Sequence, residues 1–206
     1  MSRRALLAFA AALIGLAACG GILPAPPPPP PLYRLTPLES AAPAQPAVSL
    51  QLAVAVPTAP SGLDTERIAL SRSATSIDYF ANAAWTERVP LMLQTALVES
   101  LENAGQVRVV ARQSPDLRAD ILLAVDLRHF EATYRGAGPP ELRVVIDCRL
   151  VRMPDRSVIA VKSFAGTVRA GENETPAIVV GFDEAFHAAL RELVPWAAAS
   201  LATLAR

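Results

Sequence analysis

The chain has 206 residues, 52% of them apolar, and its 19 lysines and arginines balance its 19 aspartates and glutamates. That length is one domain's worth, and a balanced charge with no basic tract and no aromatic–basic interleaving argues against a nucleic-acid partner. Two cysteines leave no room for a disulfide framework, and an almost purely arginine basic complement, with Lys162 the single lysine, reads as the codon bias of a GC-rich genome.

The first segment reads as an export signal. Arg3 and Arg4 form a basic start, and Ala5 to Ala18 is an uninterrupted apolar and small-residue run, too short to span a bilayer as a mature helix. It closes in Leu16-Ala17-Ala18-Cys19, which resembles the bacterial lipobox, where the cysteine takes a diacylglycerol and the signal is cut just before it. An ordinary secretory signal cut after Ala17 or Ala18, with Cys19 incidental, is the alternative. The basic start, apolar core and cysteine in register favour the lipoprotein reading. Residues 1–18 are then a signal peptide, and Cys19 carries S-diacylglycerol and N-acyl (palmitate-type) chains. Each buried methylene contributes about 0.8 kcal/mol, so a triacylated cysteine anchors almost permanently. Gly20 follows it, and in lipoproteins of this kind an aspartate there favours retention in the inner membrane, so the outer membrane is expected.

Residues 19–47 read as a tether. Pro26 to Pro31 is an unbroken proline run, and Pro37, Pro43 and Pro46 continue the bias with alanine between them. Such a sequence prefers extended polyproline II and builds no core. Tyr33-Arg34-Leu35 interrupts it and is a candidate to dock on the domain that follows.

Residues 48–206 read as one folded domain. Val48, Leu50, Leu52, Val54 and Val56 alternate with smaller or polar residues, a strand ended by Pro57. Arg67–Leu70 and Ile77–Phe80 pair as a short hairpin. The period then changes: Pro90, Leu93, Leu97, Leu101 and Ala104 recur at helical spacing, with Pro90 suited to the first turn and Gly105 to the C-terminal cap. Val107 to Ala111 is a short strand. Three runs, Asp120–Tyr134, Glu141–Arg152 and Ser157–Arg169, form an antiparallel meander. Phe130 breaks the alternation of Ile121, Leu123, Val125 and Leu127, which predicts a bulge near Arg128 or His129. Cys148 falls on the apolar face of the middle strand, as a small buried hydrophobe. The parity of the third strand is mixed. A helix capped by Thr175, with Pro176 behind it, carries a stripe from Phe182 to Leu204, and Pro195 is expected to kink or break it. The order predicts an α+β fold: a mixed, largely antiparallel sheet with a C-terminal three-strand meander, packed with two main helices on one or both faces.

No catalytic constellation is visible, so the chain reads as a non-enzyme with no catalytic residue, metal or cofactor. His129 and His187 are the two histidines, and neither shows a carboxylate or second histidine at metal-ligand spacing. There is no nucleophile elbow, phosphate-cradling glycine loop or Ser-x-x-Lys.

Several segments in order resemble one family, the auxiliary lipoproteins of ABC-type transport systems of the paraquat-inducible protein C type. They are Tyr33-Arg34-Leu35, Leu63 to Leu70, the Tyr…Trp…Pro arrangement Ile77 to Pro90, Ala119 to Leu123 through Phe130-Glu131, and Val158 to Phe164. The resemblance implies a non-catalytic accessory subunit at the periplasmic face of the outer membrane of a Gram-negative envelope. Its partners would be an MCE-domain protein, a permease and an ATPase that move lipids or other hydrophobic molecules. Tyr79, Phe80 and Trp85 are the candidate partner contacts, as interface anchors or as core packing. A lipid ligand in a cleft between helix and sheet, and a homo-oligomer, are compatible with this reading. The competing reading is a structural envelope lipoprotein that regulates cell-wall synthesis or assembles a secretion channel.

Overall fold

A 13-residue strand, Ile121–Thr133, is the spine on which the sheet is built. The computed structural model describes residues 29–39 and 48–204, so the expected signal peptide, Cys19 and most of the tether lie outside the described residues. Within them are β1 (Leu32–Tyr33), β2 (Val48–Val54), β3 (Arg67–Ser71), β4 (Asp78–Trp85), α1 (Val89–Ala104), β5 (Val107–Arg112), β6 (Ile121–Thr133), β7 (Glu141–Arg152), β8 (Val158–Arg169) and α2 (Thr175–Leu204). The fold is α+β, with one eight-stranded mixed sheet and two helices.

One edge of β6 takes β7 along its whole length, from Ile121 opposite Arg152 to Thr133 opposite Glu141, and β7 takes β8, which completes the antiparallel meander. The other edge is shared. Ile121 to Leu123 pair with β2 in parallel, Thr58 bridges to Asp126, and the last residues pair with β3, Leu70 beside Ala132. Outside β2 lies β5, also parallel; outside β3 lie β4 and then β1. The expected β3–β4 hairpin is present, with Ala69 opposite Tyr79. The register of β6 on β7 shifts between Leu127 and His129, where the break in alternation predicted a bulge.

Alternation decides the faces. Ile121, Leu123, Val125, Leu127, Phe130 and Ala132 on β6, and Leu142, Val144, Ile146, Cys148 and Leu150 on β7, are buried. Their neighbours on the opposite face are half-buried or exposed. The helices share the buried side, α2 packing on β7 and β8, and α1 on β5 and β2. In α1, Pro90 sits in the first turn and Gly105 closes the helix at φ 61°, donating its N–H to Glu102. The buried Gln94 donates its side-chain N–H to the Val54 carbonyl at 2.9 Å and pins α1 to the end of β2. Every core residue among those described lies between Tyr33 and Leu204.

Two expectations for the last helix need correction. Its first intrahelical bond runs from Ile178 N–H to the Glu174 carbonyl, so the cap is Glu174, one residue before Thr175. Pro195 does not end the helix, which runs 30 residues through it. Pro195 and Arg191 are both exposed, so the Arg191 carbonyl that loses its N–H partner lies where water reaches it.

The meander and α2 approach each other at glycine. A Cβ on Gly166 would overlap the Ala185 carbonyl oxygen, and one on Gly181 would lie 2.8 Å from Leu142 Cδ2. Strand backbone meets helix backbone at Gly166, and helix backbone meets the Leu142 side chain at Gly181, because neither position has a side chain. Gly166→Ala is therefore expected to lower the unfolding free energy by about 2–3 kcal/mol, as overpacking does. Gly171→Ala, with nothing within 4 Å of the added carbon, leaves the thermal midpoint unchanged. Thermal unfolding of the two variants side by side checks this.

Candidate functional site

Residues 31–38, ahead of β2, are bound to the domain rather than hanging free. Leu32 and Tyr33 add a parallel strand to the edge of β4, opposite Ala84 and Trp85, with the Thr86 N–H donating to the Tyr33 carbonyl at 2.8 Å. Leu35 then drops into the core. Thr36 donates its backbone N–H to Asp183 Oδ1 at 2.7 Å and its hydroxyl to Oδ2 at 2.6 Å, while its carbonyl accepts from His187 Nε2 at 3.0 Å. Leu38 crosses to the other helix, donating its N–H to Ser100 Oγ at 2.9 Å and accepting from Asn103 at 3.3 Å. Tyr33-Arg34-Leu35 does dock, and residues 31–38 form a strap fastened to both helices. Beneath it lies a cleft of about 400 Å³ lined by the strap, Thr86, Glu87 and α1.

Asp183 is the residue that sequence reasoning missed. It stands four positions before His187, one helical turn away, a spacing that was there to be read. The trio Thr36, Asp183 and His187 has the residue types of a nucleophile with its base, and His187 Nε2 also lies 3.2 Å from the Thr36 hydroxyl oxygen. The Thr36 carbonyl can only accept, so His187 Nε2 carries a proton and donates it. The Thr36 hydroxyl gives its own proton to Asp183, and the trio works as a clamp. The other histidine, His129, bonds through Nδ1 to Glu131 at 2.7 Å on its own strand. Among the described residues, no group of three potential metal ligands converges.

The three aromatic candidates separate. Trp85 is 1% exposed and packs against Phe130 and Phe182 at ring-centroid distances of 5.5 and 5.6 Å. It is a core residue that sets the strap's register and offers no surface. Tyr79 and Phe80 are half-buried on the β3–β4 hairpin. The Tyr79 hydroxyl donates to the Gly62 carbonyl at 3.0 Å and its ring lies under the Arg67 guanidinium at 3.7 Å.

The profile of the family described as "ABC-type transport auxiliary lipoprotein component" matches residues 33–194. The chain belongs to that family. The match opens at Tyr33, so the strap is part of the family's domain. An uncharacterized protein of Bradyrhizobium diazoefficiens is 30% identical over 166 residues, 80% of this chain and 44% of that protein, so the chain spans less than half of that relative's length. A crystal structure of a Xanthomonas campestris protein of the DUF330 family superposes with a TM-score of 0.73 at 30% identity, covering 84% of this chain and 95% of that one. A hypothetical protein of Chlamydia trachomatis, at 10% identity, shares the fold with a TM-score of 0.51 over 75% of this chain and 99% of its own.

An auxiliary lipoprotein component of a transport system belongs to the cell envelope, and no helix among the described residues is long and apolar enough to cross a membrane. Cys148 is fully buried, and that burial, with Asp147 adding to it, pushes its thiol up to about 12. It is a packing residue that stays protonated.

Two outcomes follow from this geometry. Asp183→Ala removes the strap's charged acceptor, so amide exchange at Thr36 and Leu38 is expected to quicken about tenfold, for a loss of roughly 1.5 kcal/mol, while core amides keep their protection. Hydrogen exchange resolved by residue reads both. The raised Cys148 pKa means the folded state keeps a proton that the unfolded state releases above pH about 9. Stability is then lost as pH rises from about 9 to about 12, with a slope approaching 1.4 kcal/mol per pH unit. Denaturant titrations across that range should fall more steeply for the wild-type chain than for Cys148→Ala.

Proposed function

We propose that this chain is a non-catalytic, lipid-anchored accessory subunit that couples an ABC-type transporter to the outer membrane. Acyl chains on Cys19 hold it at the periplasmic face. The transporter's MCE-domain protein is its direct partner, and the permease and ATPase of the same system move a lipid or another hydrophobic molecule. The observation that carries this reading is the family match over residues 33–194, which takes in the strap as well as the sheet and helices. Anchoring raises the local concentration of the domain, so a weak partner contact is enough. Tyr79 and Phe80 are the proposed contact, because both are part-exposed on the outer hairpin beside β1. The non-catalytic role is supported by the family match, with the Thr36–Asp183–His187 contacts serving to fasten the strap.

The test is crosslinking in intact cells followed by affinity purification of the tagged protein and mass spectrometry. Recovery of an MCE-domain protein is expected, and it should vanish with Cys19→Ala. Phe80→Ala should reduce it about tenfold, the loss expected on truncating an interface anchor. Recovery of cell-wall synthases or secretion-channel components instead would sink the transport role in favour of a structural one.

A further inference from the structure

A second cleft, of about 390 Å³, opens on the sheet face opposite the helices, at the end where β3 and β6 finish and β7 begins. Arg72, Arg135 and Arg143 line it, together with His129, Glu131 and Thr133. Glu131, the one carboxylate among the residues that line it, stands opposite Arg143 in the register of β6 on β7 but is already committed. Glu131 accepts from His129 Nδ1 at 2.7 Å through one oxygen and from the Phe130 N–H at 2.9 Å through the other. Glu141, outside the cleft lining, pairs with Arg135 at 3.5 Å. Arg72 lies over the Tyr134 ring at 5.2 Å, and that ring is fixed by its hydroxyl donating to Asn173 at 2.7 Å. Neither Arg72 nor Arg143 has a carboxylate within salt-bridge distance among the described residues. Guanidinium groups stay charged and present planar forks of donors that match phosphate oxygens.

The direction of the strap supplies the second observation. Because β1 runs parallel to β4, the chain before Leu32 heads back along β4 toward Asp78, which pairs with Leu70 at the end of β3. Ser71, next in the chain, accepts the Tyr134 N–H at 2.8 Å and lines the cleft. The described residues before Leu32 therefore point toward the arginine-lined end. From Gly20 to Pro31 the link is 12 residues, which reaches at most about 43 Å when fully extended.

We infer that this cleft binds the anionic phosphate headgroup of phospholipids in the membrane to which the chain is tethered. The inference rests on the anchoring proposed above. Anchor and cleft act together: the acyl chains bring that end of the sheet to the lipid surface, and Arg72 and Arg143 hold it there with the open sheet face turned toward the headgroups.

The test uses the unacylated chain from Gly20 onward, which keeps every described core residue. Its association with phosphatidylcholine vesicles, with and without phosphatidylglycerol, is measured by flotation at low and physiological salt. Binding is expected only with phosphatidylglycerol, and weaker at higher salt. Arg72→Ala and Arg143→Ala should each weaken it roughly fivefold, the loss of one basic contact with an anionic leaflet. Arg149→Ala, on the same face but outside the cleft, should leave it unchanged. All three side chains are exposed, and equal thermal midpoints verify folding. Equal binding to neutral vesicles, or an equal loss in Arg149→Ala, overturns the assignment. So does inorganic phosphate shifting cleft resonances in NMR when vesicles do not bind, which identifies a free phosphate ligand. Intact-mass measurement of the full-length protein separates the two ideas: an unacylated Cys19 with the arginine dependence retained removes the anchor and leaves the headgroup site standing.

Discussion

The extra residue between Leu127 and His129 is the constraint on which the rest of the fold depends. Before it, odd-numbered residues of β6 face the helices. After it, even-numbered ones do. Without that shift Phe130 would turn to the open face of the sheet. With it, Phe130 lies 4.8 Å from Phe182 of α2 and 5.5 Å from Trp85 at the end of β4. Three aromatic rings from a spine strand, an outer strand and a helix meet at one point, at distances where aromatic pairs contribute beyond their buried area. Trp85 in turn stands opposite Tyr33, so the same cluster sets where the strap pairs.

Gly166 and Gly181 complete that arrangement from the other side. They let α2 settle against β7 and β8 closely enough that Ala185, Phe186, Ala189 and Leu190 are fully buried. A helix seated that deeply has its azimuth fixed. Asp183 and His187 then fall on the flank where the strap passes. The clamp on Thr36 is thus a product of close packing between α2 and the meander, and a looser helix would carry the carboxylate away from the strap.

Much of this was legible in the sequence because the signals were local. Period-2 alternation marked β6 and β7 nearly to their ends, and the break at Phe130 located the bulge, since parity is a strict consequence of strand geometry. Pro90 and Gly105 bracketed α1. The rest depended on partners distant in the chain. The parallel pairing of β2 and β3 along a single edge of β6 leaves no local trace. The parity of β8 reads as mixed because an edge strand under one helix buries only Phe164 and Gly166 fully. Pro195 falls on the solvent side of α2, where the propensity rule loses its force. Trp85 stays open between contact and core in the sequence because an aromatic's type does not tell core from surface. Its burial comes from Phe130 and Phe182, 45 and 97 positions further on.

The strap changes what an N-terminal tether can do. A chain that stayed free from residue 19 to residue 47 would let the domain tumble over any approach angle. A chain fastened at Leu32–Leu38 to β4, α1 and α2 meets the domain at a fixed place and in a fixed direction. Force or orientation arriving from the N-terminal side then enters the domain at the edge of the sheet, through hydrogen bonds to both helices. The N-terminal residues of the strap point toward the end of the sheet that carries the β3–β4 turn and the arginine-lined cleft, so the opposite end of the sheet faces away from it. A flexible linker specifies distance alone. A linker that ends in a bound strand also specifies which face of the domain a partner meets, and that is the property an accessory subunit needs if it is to hold one component of a transport system against another.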